Sequence, residues 1–154
     1  MSEELVSVTA QPFNPAEKKV LVIDDTETIV EYTRFVLQRY GYTNIVTALN
    51  GIDGLQAFYR ERPDCVIVDV KMPGLDGYQV VRSIRGDLSA ADTPLIIVSA
   101  LQQPDQRLTG ILSGVDEYLA KPYKPQALAD ALERVMKITP EERSRRMRDL
   151  ADDE

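Results

Sequence analysis

A chain of 154 residues, 44% apolar and 28% charged, fits one globular domain with a core of ordinary size. Its net charge of −7, with no basic stripe interleaved with aromatics, argues against a general nucleic-acid-binding surface. The lone Cys65 rules out a disulfide framework. The first residues lack a secretion signal and no apolar run approaches membrane-spanning length, so a cytoplasmic protein with no membrane partner is expected.

Residues 1–16 are polar, contain Pro12 and Pro15 and show no period, which predicts a poorly ordered lead-in to a domain over 17–138. Within that domain, Val20-Leu21-Val22-Ile23 is an apolar run ending in Asp24-Asp25, followed by helical spacing at Ile29, Val30, Phe35, Val36 and Leu37. Asn44–Ala48 is a second strand candidate with no carboxylate after it, and Leu55, Phe58 and Tyr59 then repeat at helical spacing. Cys65-Val66-Ile67-Val68 ends in Asp69 and precedes Val80, Val81 and Ile84; Leu95-Ile96-Ile97-Val98 ends in Ser99 and precedes Leu108, Ile111, Leu112 and Val115. Glu117-Tyr118-Leu119-Ala120 ends in Lys121, and a fifth helix carries Leu128, Ala131, Leu132 and Val135.

Beyond the domain, residues 139–154 read as a polar C-terminal helix or tail. Thr139-Pro140-Glu141-Glu142 combines a capping threonine, a proline at the first helical position and a glutamate at the third. The pairs Glu141–Arg145, Glu142–Arg146 and Arg148–Asp152 each contribute only about 0.2–0.5 kcal/mol. Acids interspersed among Arg143, Arg145, Arg146 and Arg148 make this a solvated or protein-docking face rather than a nucleic-acid patch.

Short, β-branched runs without polar alternation suit strands buried on both faces, and five of them alternate with helices. This predicts an α/β fold: a doubly wound, five-stranded parallel sheet with five helices, in the flavodoxin-like order 2-1-3-4-5. That order sets the first and third strands, both ending in aspartate, side by side. Asp24, Asp25, Asp69, Ser99 and Lys121 then gather at one sheet edge.

Asp24-Asp25 alone could simply cap a helix. Three carboxylates placed together repel one another unless a cation is present, and a hard oxygen-seeking ion, Mg²⁺ above all, resolves that repulsion. One carboxylate is then able to attack a phosphoryl group, Lys121 supplies a second positive charge and Ser99 a hydrogen bond to a phosphoryl oxygen.

Four stretches in order carry a resemblance: Val20–Asp25; Val66-Ile67-Val68-Asp69-Val70-Lys71-Met72-Pro73-Gly74-Leu75-Asp76-Gly77; Ile97-Val98-Ser99-Ala100; and Gly114–Tyr123 with its Lys121-Pro122. Over roughly 18–138 the chain resembles a receiver domain of the two-component response regulators. The resemblance implies that Asp69 is the phosphoacceptor, that Asp24, Asp25 and the backbone carbonyl of Lys71 join it in holding Mg²⁺, and that Lys121-Pro122 is cis. It implies that Asp76 and Gly77 cap and open the third helix. It also implies a switch in which Ser99 moves toward the phosphoryl group and Tyr118 rotates inward, with Gly110 softening the fourth helix.

The implied partners are a histidine kinase or histidine phosphotransfer protein and a downstream protein effector docking on the face of the fourth helix, fifth strand and fifth helix. A phosphorylation-dependent homodimer through the fourth helix is an option the family offers, not one the residues select. In this family the side chains at the positions of Lys71 and Leu101 influence how water reaches the phosphoryl group; a leucine cannot orient water through a hydrogen bond and a lysine stem can stack over the opening, which predicts a long-lived phosphoaspartate.

The expectation is a signalling domain rather than an enzyme. Haloacid-dehalogenase-like phosphatases need Asp-x-Asp at the nucleophile, whereas this chain has Asp69-Val70-Lys71 and lacks the second acid. A pseudo-receiver would be missing a site residue, and none is missing. With no histidine the chain is neither the kinase nor the phosphotransfer module. The capped break at Thr139 and the acidic ending favour a finished chain over a receiver followed by an effector domain after residue 154.

Overall fold

The computed structural model describes residues 12–100 and 114–152. Five strands form one parallel sheet: β1 (Lys19–Ile23), β2 (Asn44–Ala48), β3 (Cys65–Asp69), β4 (Leu95–Ser99) and β5 (Glu117–Ala120), in the order β2-β1-β3-β4-β5. This is the expected flavodoxin-like order. Four of the five expected helices are described: α1 (Glu27–Arg39), α2 (Gly51–Glu61), α3 (Gly77–Arg85) and α4 (Pro125–Met136). The helix expected around Leu108–Leu112, with Gly110, lies outside the described residues, as do residues 1–11. A further helix, α5, spans Pro140–Asp152.

Alternation along the strands divides the core in two. Leu21, Ile23, Val66, Val68, Leu95 and Ile97 face Phe58 on α2 and Val80, Val81 and Ile84 on α3. Val20, Val22, Cys65, Ile67, Ile96 and Val98 face Val36 and Leu37 on α1 and Leu128, Leu132 and Val135 on α4. Burying one such side chain is worth about 1.5–3 kcal/mol, so these two layers dominate the stability of the domain.

Some outward assignments differ from the sequence pattern. Phe35 is 55% exposed and Tyr59 40% exposed. The buried stripe of α1 runs through Val30, Thr33, Val36 and Leu37, which leaves Phe35 on the outer side of the helix. Within the stretch expected to be a poorly ordered lead-in, Asn14 caps a single 3-10 turn over Pro15–Glu17, its Oδ1 accepting from the Ala16 N–H at 3.1 Å, and Phe13 packs against the α1/α4 layer. Arg143 also departs from its expected solvated face. It is buried, because its guanidinium reaches back to Asp116.

The caps match the sequence grammar. The Glu142 N–H donates to Thr139 Oγ1 at 3.1 Å, and Glu142 pairs with Arg146. At α3, Gln79 N–H donates to Asp76 Oδ1 and Asp76 N–H donates to Gln79 Oε1, both at 2.9 Å, closing a capping box.

That box lies next to a backbone approach tight enough to require glycine. A Cβ on Gly77 would stand 2.3 Å from the carbonyl oxygen of Asp69, while the Gly77 N–H donates to the Val70 carbonyl at 3.0 Å. The start of α3 is therefore pressed against the end of β3. Gly77→Ala should destabilise the protein by about 1–3 kcal/mol, read from urea denaturation; a loss below about 0.5 kcal/mol would show that the loop relaxes freely.

Candidate functional site

Parallel pairing places the site. β1 and β3 are in register through Ile23 and Val68, so Asp24 and Asp69 stand side by side one residue further on. β3 pairs Asp69 with Val98 on β4, and β4 pairs Ser99 with Ala120 on β5. The Lys121 N–H donates to the Ser99 carbonyl at 2.7 Å, which fixes the backbone that aims the Lys121 side chain. Lys121-Pro122 is the cis peptide bond expected there.

Asp24, Asp25 and Asp69 each contribute a carboxylate oxygen, and these oxygens all lie within 4.8 Å of one another. Asp24 is buried, Asp69 is half-buried and Asp25 faces solvent. Asp24 Oδ1 also accepts the Thr26 N–H at 3.0 Å, so this side chain fastens the turn into α1 while its other oxygen faces Lys121. Lys121 Nζ sits 3.0 Å from Asp24 Oδ2 and 3.6 Å from Asp69 Oδ1. One ammonium thus serves two of three carboxylates.

The electrostatics reflect burial first and the crowding of acids second. The Asp69 carboxyl is pushed up from 3.8 to about 6, first by burial; Lys121 opposes the shift, while Asp24 and Asp25 add to it. An all-oxygen donor set with surplus negative charge fits a hard divalent cation such as Mg²⁺ and not a thiolate- or imidazole-seeking metal.

Of the other residues singled out in the sequence, Ser99 is 1% exposed at the end of β4, and Tyr118 is half-buried against the layer beneath α2 and α3. The Lys71 side chain is exposed just past Asp69, and Leu101 lies outside the described residues. Thr33, which the sequence pattern did not mark, is buried with its hydroxyl 3.4 Å from the Tyr123 hydroxyl, joining α1 to the turn after Lys121. A lone threonine on an apolar helix stripe gives no signal of such a role.

Comparison with known proteins follows the same lines. Residues 20–133 match the family model of the response regulator receiver domain. The chain is 39% identical over 123 residues to the protein described as "Probable transcriptional regulator ycf27" of Guillardia theta, covering 80% of this chain and 47% of that protein. It is 34% identical over 109 residues to the alkaline phosphatase synthesis transcriptional regulatory protein PhoP of Bacillus subtilis, covering 71% of this chain and 44% of that one. The chain spans about half the length of these curated relatives. Among solved structures, the chemotaxis protein CheY4 of Vibrio cholerae superposes with a TM-score of 0.71 at 31% identity, covering 77% of this chain and 98% of that one. Sequence, topology and the clustered acids at the sheet edge agree: the chain belongs to the response regulator receiver domain family of two-component systems.

Proposed function

We propose that this chain accepts a phosphoryl group on Asp69 from a phosphohistidine of a kinase or phosphotransfer protein, and that loading shifts Ser99 and Tyr118 to alter how a protein effector is bound. The observation that carries this reading is the set of three carboxylate oxygens within 4.8 Å, bridged on one side by the Lys121 ammonium.

Asp24, Asp25, Asp69 and the Lys71 backbone carbonyl would hold Mg²⁺, which when bound supplies charge neutralisation for the incoming phosphoryl oxygens. Asp69 attacks phosphorus through a carboxylate oxygen; the new O–P bond forms as the N–P bond to the donor imidazole breaks, and the leaving imidazole takes up a proton. Lys121, whose ammonium already reaches Asp24 and Asp69, stabilises the transferring oxygens. Ser99 donates to one of them, and its movement opens the space that Tyr118 fills.

The domain body is residues 17–138, with 139–154 as its C-terminal extension. An effector that acts at DNA, whether joined to this chain or separate, is favoured by the names of the relatives, both transcriptional regulators. In the described residues no helix is long and apolar enough to cross a membrane.

Incubation with Mg²⁺ and acetyl phosphate should add one phosphoryl group to the wild type and none to Asp69→Asn, read by intact mass; equal labelling of both would move the acceptor elsewhere. The raised carboxyl pKa gives a second test in metal-free protein. Folded Asp69 holds its proton up to about pH 6 where the unfolded chain has released it near 3.8. Its contribution to stability is therefore complete below that lower value and is lost as pH rises through about 6. Asp69→Asn should match the wild type at about pH 4 and exceed its Tm by roughly 2–6 °C at about pH 7.5, after allowance for solvent screening, with added Mg²⁺ narrowing the gap. No difference at either pH would mean that burial and the neighbouring acids do not raise the Asp69 carboxyl.

Lys71 bears on lifetime. On the proposed reading its exposed side chain lays its apolar stem over the opening and limits water at the phosphoryl group, so Lys71→Asn, which introduces a side chain able to orient water, should speed loss of the label several-fold. An unchanged decay rate would remove Lys71 from the account.

A further inference from the structure

At the opposite end of the sheet from the acidic cluster, two arginines share one buried carboxylate. The side chains of Asp116, Arg143 and Arg85 are 3%, 5% and 9% exposed. Arg143 Nε donates to Asp116 Oδ1 at 2.8 Å, its Nη2 to Asp116 Oδ2 at 3.1 Å and its Nη1 to the Asp92 carbonyl at 2.8 Å. Arg85 Nη2 donates to Asp116 Oδ2 at 3.0 Å, and the rest of its fork is taken up by the carbonyls of Gly114, Ala91 and Thr93. The Leu95 N–H also donates to Asp116 Oδ2 at 2.8 Å.

Arg143 is the one buried side chain among residues 140–149 of α5; Glu142 is half-buried and the others are exposed. A thirteen-residue, strongly polar helix is marginal in water by itself. Among residues 140–149 its seat therefore depends on a single guanidinium. Withdrawal of Arg143 would take the Nε donor from Asp116 Oδ1 but would not orphan the charge, because Arg85 and the Leu95 N–H stay on Oδ2. Leaving a still-paired carboxylate behind makes release far less costly than breaking an isolated buried ion pair.

We propose that α5 is a reversible latch: Arg143 plugs a socket made by Asp116 and the Asp92 carbonyl, and the helix undocks and melts as a unit while the sheet stays folded. The socket belongs to the strands that the proposed phosphorylation would move. The Asp116 N–H donates to the Leu95 carbonyl at 3.0 Å, so Asp116 joins the first residue of β4, which ends in Ser99, to the lead-in of β5, which carries Tyr118. Seating of α5 and loading of Asp69 are thereby coupled, and this last step rests on the function proposed above; coupling of this kind acts in both directions.

Hydrogen exchange of the full chain, followed by mass spectrometry with and without Mg²⁺ and beryllofluoride, tests both parts, with Arg143→Met and the milder Arg143→Lys as variants. Wild-type amides of 141–150 should exchange at least about tenfold faster than those of β1 and β3, reporting local opening. Arg143→Met should bring them close to the unstructured rate with β1 and β3 unchanged, Arg143→Lys falling between. Beryllofluoride should change the wild-type α5 rate by about threefold or more and leave that of Arg143→Met unmoved.

Exchange of α5 in step with β1 and β3 would overturn the latch, as would α5 protection that survives Arg143→Met. An α5 rate indifferent to beryllofluoride, while amides around Asp69 gain protection, would overturn the coupling. Absence of any protection around Asp69 would instead count against the proposed function, and the latch would stand or fall on the wild type and the two variants alone.

Discussion

The pairing of β1 with β3 is the constraint on which the candidate site depends. A parallel register that matches Ile23 to Val68 brings Asp24 and Asp69 to neighbouring positions, and a slip of one residue would send the slipped strand's two apolar sets to the opposite layers. The two hydrophobic layers thus hold the acids together against their own repulsion. Folding energy gathered across the whole sheet is concentrated in a few ångströms at its edge, where Asp69 carries its proton to about pH 6.

Both ends of the sheet carry unbalanced charge, with opposite signs and different remedies. At the edge holding Asp24, Asp25 and Asp69, one lysine faces three carboxylates; at the other, two arginines face Asp116. The surplus guanidinium donors find backbone carbonyls at Gly114, Ala91, Thr93 and Asp92, so that network is closed by the protein itself. At the acidic end Thr26 and Lys121 reach the carboxylates, yet among the described residues one ammonium is shared by two of the three acids, and surplus carboxylate charge calls for further donors or a cation. One end is built as structure, and the other is left with a requirement that a ligand can meet.

Strand order, the caps at Asp76 and Thr139 and the gathering of the acids were legible in the sequence because each follows from a local rule: period, capping grammar, or the position of a charge just past an apolar run. What escaped depends on contacts between distant segments. Arg143 looked like one of four solvated arginines because its partner Asp116 lies 27 residues away, and nothing in the local charge pattern distinguishes it. Thr33 on the apolar stripe of α1 meets Tyr123 across 90 residues. Phe35 misled in the opposite direction: apolar residues at helical spacing predicted its burial, yet α1 needs only one stripe to cover the sheet, and the phenylalanine falls outside it.

Lys121 is the residue through which charge at the site would reach the rest of the domain. In the unloaded protein its ammonium is divided between Asp24 at 3.0 Å and Asp69 at 3.6 Å, and its backbone is tied to Ser99. On the proposed reading, phosphorylation exchanges the single carboxylate charge of Asp69 for the larger charge of a phosphoryl group carried further from β3, so the most favourable position for the ammonium moves outward with it. The Lys121 N–H donates to the Ser99 carbonyl, so that movement pulls on β4 and β5 together. These are the strands bridged at their far ends by Asp116. A change of charge at one edge of the sheet therefore has a mechanical route to the other, through two adjacent strands rather than through the loops around the site.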